Sequence, residues 1–337
     1  MISTNIAQPT IDDAYCCGPV KLNLGFEDSC LHDALHGLLS QYDAPWLSPE
    51  TVIHVTIERG DALARANEPI GAFFHSHHLR ADRRGASLIS VSNVGVWMEF
   101  DLVTGRAQIV VPFHSDWLVV VEDVEQQLIF LLARAWAQAG WTPLHAGSLI
   151  PPGETRCVLL CAPSGVGKTT LIASLLRRGW RTLGDDKTLL QKGKNGVVAR
   201  SLAQRFHLHP SVSRWFPDVG DINEWPRYSR WTEKRVVRIE EVWPDRLLDC
   251  AIPGGVVQLE RIEGGLMVEP LDGINTLNTL LRQVAIPSDA EHARPLISCI
   301  GITAANLNSA LIKIGNDAYA DPASVDHLEK ALRRLLP

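Results

Sequence analysis

The stretch CAPSGVGKTT, Cys161 to Thr170, places two glycines, a lysine and two threonines where phosphate chemistry needs them. Ala162 to Thr169 fit a known pattern: Ala or Gly, four residues of any type, Gly-Lys, then Ser or Thr. Gly165 and Gly167 let the backbone turn its N–H groups inward. Pro163, Ser164, Gly165, Val166, Gly167, Lys168, Thr169 and Thr170 therefore form a candidate cradle for a phosphate chain. Lys168 can reach the β and γ phosphates, and the Thr169 hydroxyl can ligate Mg2+. The implied ligand is ATP with Mg2+. A helix expected to begin at this point adds its positive dipole end.

A phosphate loop names a ligand, not a reaction. The stretch LGDD, Leu183 to Asp186, narrows the choice, because Asp185 and Asp186 follow Thr169 by only 16 and 17 residues. A helix over Thr169–Arg178 travels about 15 Å from the loop. Gly179 stops it, and Trp180–Gly184, if extended, returns about 16 Å. This predicts a βαβ crossover whose returning strand lies parallel to the loop strand, with its end on the nucleotide edge. Two carboxylates there can divide the work, one taking the proton of an attacking hydroxyl and the other helping to hold Mg2+. Gly-Asp-Asp also suits an ordinary turn at a strand end. His145, in LHAGSL, approaches the same carboxylates if that segment is a strand turning into RCVLLCA.

These residues need elements to hold them, and 337 residues suffice for two domains. Residues 1–121 read as a smaller α+β module. It has a helix over Ser29–Tyr42, with Leu31, Leu35, Leu38 and Leu39 on one face and Asp28 or Ser29 as the cap. Strands follow at Thr51–Glu58, ASLISVS, VGVWMEF and RAQIVVP, with a hairpin turn at Val103–Arg106. Gly71–Gly85 reads as a long polar loop, and its His75, His77 and His78 as solvated rather than metal-binding. A helix over Glu122–Gln138 opens the second domain, residues 122–337, of alternating α/β pattern. Strands are expected there at RCVLLCA, WRTLG, Val256–Ile262 and Leu296–Ile302. Long surface excursions fill Pro210–Asp245, and a helix over Ser324–Leu336 closes the chain.

A formal charge of −6 argues against a nucleic-acid surface. No apolar run approaches the ~20 residues of a membrane helix, and MISTNIAQPTIDD lacks the marks of a signal peptide. The expectation is a soluble cytoplasmic protein with no nucleic-acid or membrane partner. Seven cysteines without a C-x-x-C pair suggest neither a disulfide framework nor a zinc site. Cys157, Cys161 and Cys299 sit in apolar runs and read as small buried hydrophobes.

The ordered set His145-Ala-Gly-Ser, APSGVGKTT, Leu175-Leu-x-x-Gly179 and Leu183-x-Asp185-Asp186 resembles the HPr kinase/phosphorylase family and its wider set of HPr-kinase-related proteins. The likeness is strong over Leu144–Asp186. It continues weakly through QRFHLHP, TEKRVVR, GGVVQLERIEGG and the last helix. The resemblance implies an α/β P-loop kinase domain of the HPr kinase and PEP-carboxykinase-like type, beside a smaller N-terminal α+β domain. It puts Asp185 in the general-base position, paired with His145, and Lys168 on phosphate. Thr169 and Asp186 fall in the Mg2+ region, and Arg205, Lys234 and Arg235 where phosphate or acceptor is contacted. It also implies a homo-oligomer. The family's second signature, rich in Gly and Ile, is not recognisable here, and the loop ends Lys-Thr-Thr in place of Lys-Ser. The N-terminal module looks more like that of kinase-related proteins found with modified-peptide biosynthesis, including lasso-peptide tailoring.

The reading is thus an ATP- and Mg2+-dependent kinase acting on a serine of a protein or ribosomal peptide, with the N-terminal module recognising the acceptor. Two alternatives stand beside it: a kinase for a free small molecule such as serine, and a nucleotide-switched protein serving a partner enzyme.

Overall fold

The computed structural model describes residues 11–27, 29–39, 48–62, 74–76, 79–113, 116–194, 196–202, 205–228 and 232–337. The chain forms two compact units, Met1–Ala139 with Ile286–Ala293, and Gly140–Ala285 with Arg294–Pro337.

The first unit is built on one eight-stranded sheet. Its strands are β1 (Ile11–Cys17), β2 (Val20–Phe26), β3 (Thr51–Gly60), β4 (Phe74–His75), β5 (Leu79–Arg84), β6 (Ser87–Ser92), β7 (Trp97–Asp101) and β8 (Arg106–Pro112). They lie in the order β1-β2-β3-β8-β7-β6-β5-β4. Among the described residues of this unit, β2–β3 and β3–β8 pair in parallel and the other neighbours antiparallel. Helix α1 (Ser29–Leu39) makes the β2-to-β3 crossover, burying Leu31, Leu35 and Leu39 at helical spacing. Helix α2 (Trp117–Gln138) buries Val124, Leu128, Leu131 and Ala135, and Trp136 Nε1 donates to the Cys17 carbonyl at 2.8 Å.

Three expectations change in this unit. The β1–β2 hairpin turns at Gly18 (φ 64°), in a stretch read without elements. Phe74–His75 and Leu79–Arg84 are strands within the supposed loop, β5 pairing along β6 and β4 along β5, which no local pattern announces. Helix α2 counts with the first unit, so the division falls at Gly140 rather than at residue 122. Asp28, residues 40–42, His77 and His78 lie outside the described residues.

The second unit carries β9 (Trp141–Leu144), β10 (Gly147–Leu149), β11 (Arg156–Cys161), helix α3 (Lys168–Leu176), β12 (Thr188–Gly193), β13 (Gly196–Ser201), β14 (Arg205–Leu208), β15 (Arg235–Arg238) and a short helix α4 (Ile239–Val242). After these come β16 (Cys250–Arg261), β17 (Leu266–Pro270), helices α5 (Gly273–Leu281) and α6 (Ala290–Ala305), β18 (Asn308–Ile314) and helix α7 (Pro322–Arg334). The sheet order is β10-β11-β16-β13-β12-β9, with β18 also on β16 and β17 on β18. Strand β16 is parallel to both β11 and β18, and near-continuous burial of Val256, Val257 and Leu259 fits a central strand covered on both faces. Among the described residues no helix is long and apolar enough to cross a membrane.

Leu296–Ile302, expected as a strand, lies inside α6. A short apolar run does not distinguish a strand from a buried helix. Ala293, Leu296, Cys299, Ile300 and Thr303 are buried at three- and four-residue spacing, while Ile297 stays 45% exposed. The Pro210–Asp245 stretch is not a set of surface excursions. Its 3-10 turns and the β14–β15 ribbon bury Val212, Phe216, Ile222, Val237, Ile239 and Trp243 in one cluster with Leu171 of α3 and Leu328 of α7. Cys157, Cys161 and Cys299 are buried, as their apolar surroundings suggested.

Candidate active site

Strand β11 ends at Cys161, and α3 begins at Lys168. Gly165 and Gly167 take left-handed backbone, φ 82° and 112°, which a side chain would strain. A Cβ on Gly167 would also come within 3.3 Å of the Tyr319 hydroxyl. No side chain caps the start of α3, so its first-turn N–H groups remain for an anion. Lys168 is 8% exposed, and its Nζ lies 3.4 Å from Asp186 Oδ1.

The returning segment does not pair with β11. Strand β10 stands between them, antiparallel to β11, and Trp180–Gly184 runs antiparallel along β10. Arg181 and Ile150 exchange both backbone hydrogen bonds at 2.8 Å. The Ser148 amide donates to the Gly184 carbonyl at 3.0 Å. The Leu183 amide donates to Ser148 Oγ at 2.7 Å, and Thr182 Oγ1 donates to the Ser148 carbonyl at 2.7 Å. Two antiparallel steps restore the direction of β11, so the returning segment has the parallel heading expected of it, with β10 standing between. Gly147 permits this approach: a Cβ there would lie 2.7 Å from the Asp185 carbonyl oxygen and 2.5 Å from Ile172 Cδ1.

Asp185 and Asp186 thereby reach the loop, on opposite duties. Thr169 Oγ1 donates to Asp185 Oδ2 at 2.7 Å. Asp185 is 2% exposed, and its buried Oδ1 has no hydrogen-bond partner among the described residues. Asp186 Oδ1 is 2.8 Å from His145 Nε2 and 3.4 Å from Lys168 Nζ. Its side chain is 39% exposed and that of His145 47%. The expected His145–Asp185 pair is therefore replaced by His145–Asp186, and Thr169 sits with Asp185 instead of Asp186. Adjacent residues at a strand end point to opposite sides, and only the tertiary placement decides which faces the loop hydroxyl.

The electrostatics separate the two carboxyls. Burial, with the neighbouring Asp186 charge, pushes Asp185 up to about 6, against the pull of Thr169, Lys168 and Lys234. Burial acts on Asp186 too, but the hydrogen bond from His145 and the Lys168 charge outweigh it and hold that carboxyl well below its ordinary value. His145 is anchored through its backbone N–H to the Gln283 carbonyl at 2.9 Å, and Thr188 Oγ1 donates to the Ala146 carbonyl at 2.9 Å.

Of the three basic candidates, Lys234 is the one whose positive charge opposes the rise in the Asp185 pKa. Arg235 instead donates to the Trp225 carbonyl at 3.4 Å. Arg205 stands in the field of Arg238, Glu240 and Glu241. Residues with no role of their own assigned from sequence are Gly147 and Ser148 of the His145-Ala-Gly-Ser stretch, Thr182, Tyr319 and His207. Strand alternation buries Phe206 and Leu208 and turns His207 the other way, toward the charge of Asp186. Burial pushes this imidazole down to about 4, Lys234 adding to that and Asp186 opposing it. Its ring stacks on Tyr228 with centroids 3.8 Å apart.

No protein-family model matches the chain, and no curated protein matches it. A solved structure, the Hpr(Ser) kinase/phosphatase from Coxiella burnetii, aligns over 57% of this chain and 94% of its own, with a TM-score of 0.32 and 16% identity. A likeness so remote bears on no residue's role.

Proposed function

We propose that the second unit is an ATP- and Mg2+-dependent kinase that phosphorylates a serine hydroxyl of a protein or peptide. The observation that carries this is the bond from Thr169 Oγ1 to the buried Asp185, whose other oxygen has no partner among the described residues. In phosphate-loop enzymes the loop Ser or Thr and an aspartate hold Mg2+ together. A buried carboxylate oxygen left unpaired costs free energy that a divalent cation offsets. The residues thus fit the group: Thr169 and Asp185 would hold Mg2+, and Pro163 to Thr170 the phosphates. The bound nucleotide supplies the γ-phosphoryl group, and its metal neutralises charge on the phosphates.

Asp186 is the general base in this reading. It is the carboxylate an acceptor can reach, and its low pKa keeps it ionised at neutral pH. The serine proton moves to Asp186, a Ser O–P bond forms, the bond from the γ-phosphorus to the bridging oxygen breaks, and ADP leaves. Lys168 has a second duty on the β and γ phosphates. Once engaged there it no longer holds Asp186 down, and the carboxylate becomes a better base. His145 positions Asp186 by its hydrogen bond. Lys234 adds positive charge that bears on Asp185. The partial exposure of both Asp186 and His145 favours an acceptor presented from solvent over a small molecule enclosed in a pocket.

The first unit, in the same reading, recognises the acceptor, and the protein works in the cytoplasm, as a homo-oligomer. Coupled measurement of Mg2+-dependent ADP formation, with and without serine-bearing peptides, tests the kinase. Stimulation by a serine peptide and not by its alanine counterpart is expected. An acceptor-independent rate would point instead to a nucleotide-switched protein.

A further inference from the structure

Away from the phosphate loop, the first unit gathers a second set of chemically capable side chains. His32 and His36 stand one helical turn apart on α1 and so share a face. Asp13 reaches them from the edge strand β1. His32 Nε2 is 3.2 Å from Asp13 Oδ2, and His36 Nδ1 is 3.1 Å from the same oxygen. The Tyr15 hydroxyl lies 2.6 Å from Asp13 Oδ2 and 2.8 Å from His36 Nδ1.

We propose that Asp13, His32 and His36 form a binding site for a zinc-type divalent ion that ties α1 to the edge of the sheet. The donor set is borderline in softness, two imidazoles and a carboxylate, which suits Zn2+ and not Mg2+. The ligand atoms all lie within 4.8 Å of one another. Zinc bonds of about 2.0–2.1 Å give a tetrahedron with edges of about 3.3–3.4 Å, close to the two separations to Asp13. Three protein donors leave the fourth position to water or the Tyr15 hydroxyl.

Two further contacts set the rings in place. His32 Nδ1 is 3.1 Å from Asp33 Oδ1, a carboxylate behind the imidazole that turns Nε2 toward Asp13. The Phe26 ring meets His32 edge-on, with centroids 5.3 Å apart. The side chains are 22% (His32), 26% (Asp13) and 57% (His36) exposed, so an ion can enter from solvent without opening the core.

The test is titration of the full-length, chelator-stripped protein with Zn2+ against a chromophoric competitor, and with Co2+ for its spectrum. One ion per chain is expected, and Co2+ should show a tetrahedral visible band without thiolate charge transfer. Loss of an outer partner typically costs 10–100-fold, so His36→Ala should weaken binding by more than about 100-fold and Asp33→Asn by about tenfold. Matching unfolding midpoints of metal-free wild type and His36→Ala would show that the variant folds. Three results would overturn the site: no stoichiometric ion, binding unchanged in His32→Ala and His36→Ala, or a thiolate signature. Unchanged binding in the variants would place the ion elsewhere, for instance on His75, His77 and His78.

Discussion

His145 Nε2 lies 2.8 Å from Asp186 Oδ1, so the imidazole is committed to the carboxylate that solvent reaches, not to its buried neighbour. The two carboxylates are thereby divided, Asp186 toward His145 and Lys168 and Asp185 toward the loop hydroxyl of Thr169.

Removing the base should separate transfer from binding. Asp186→Asn keeps size and polarity, and is expected to lower the transfer rate by about 10²–10⁴-fold with little change in nucleotide affinity. His145→Ala should cost less. It should also shift the acidic limb of the pH–rate profile upward, because the hydrogen bond that lowers Asp186 is gone. Loss of rate without that shift would make His145 a merely structural residue.

Asp185 carries a pH signature of its own. Its carboxyl titrates near 6 in the metal-free fold against an ordinary 3.8, so the native state holds this proton more tightly than the unfolded chain. Stability from this group is fully present below pH 3.8 and is lost as pH rises through about 6. Asp185→Asn cannot ionise and should therefore be more stable than wild type at pH 7–8 without divalent ions, by on the order of 1–3 kcal/mol. The gap should close below about pH 4, as denaturant unfolding at several pH values would show. An Asn variant less stable than wild type at neutral pH would mean the carboxylate is favourably paired in the metal-free protein.

The same titration predicts how Mg2+ competes with protons. Below pH of about 6, the ion must displace the Asp185 proton, so the apparent Mg2+ requirement should rise about tenfold per pH unit. A requirement flat across that range would remove Asp185 from the metal position.

Gly147 is where backbone approaches backbone. Gly147→Ala brings a methyl to 2.7 Å from the Asp185 carbonyl oxygen and should cost about 1–3 kcal/mol along with most transfer activity. Ile172 Cδ1 is also close, at 2.5 Å, but as a side-chain end it can yield. Adding Ile172→Val should therefore fail to restore activity. Full rescue would show that side-chain crowding, not displacement of Asp185, is the cause.

Trp180 fastens the returning segment to the closing helix. It is fully buried, its Nε1 donates to Glu329 Oε1 at 2.6 Å, and Arg333 lies 5.3 Å above its ring. Trp180→Phe should cost about 1–3 kcal/mol in denaturant unfolding, because the Glu329 carboxylate loses a partly buried donor.

What could be read from the chain were its local relations. Gly165, Gly167, Lys168 and Thr169 are contiguous, and the distance out along α3 and back fixes where Asp185 and Asp186 arrive whatever lies between. The pairing of His145 depends instead on β10 intervening between β11 and the return, a long-range choice invisible to spacing. Gly147 and Ser148 matter through contacts with residues 183–185, which no window around them contains. Leu296–Ile302 misled because a short apolar run reads alike in a strand and in a buried helix, and its three- and four-residue burial period shows only in the fold. In Pro210–Asp245, a composition rich in Pro, Trp and Arg suggested surface excursions and hid Phe216, Ile222 and Trp243, which pack into the core around α3.

The most direct measurement is intact-mass analysis of free serine, serine-containing peptides and HPr after incubation with Mg-ATP and the wild-type protein or Asp186→Asn. The account predicts one phosphoryl group gained on a serine of a peptide or protein acceptor with wild type, and almost none with the variant. Nucleotide bound by both proteins, with no acceptor gaining mass, would contradict it.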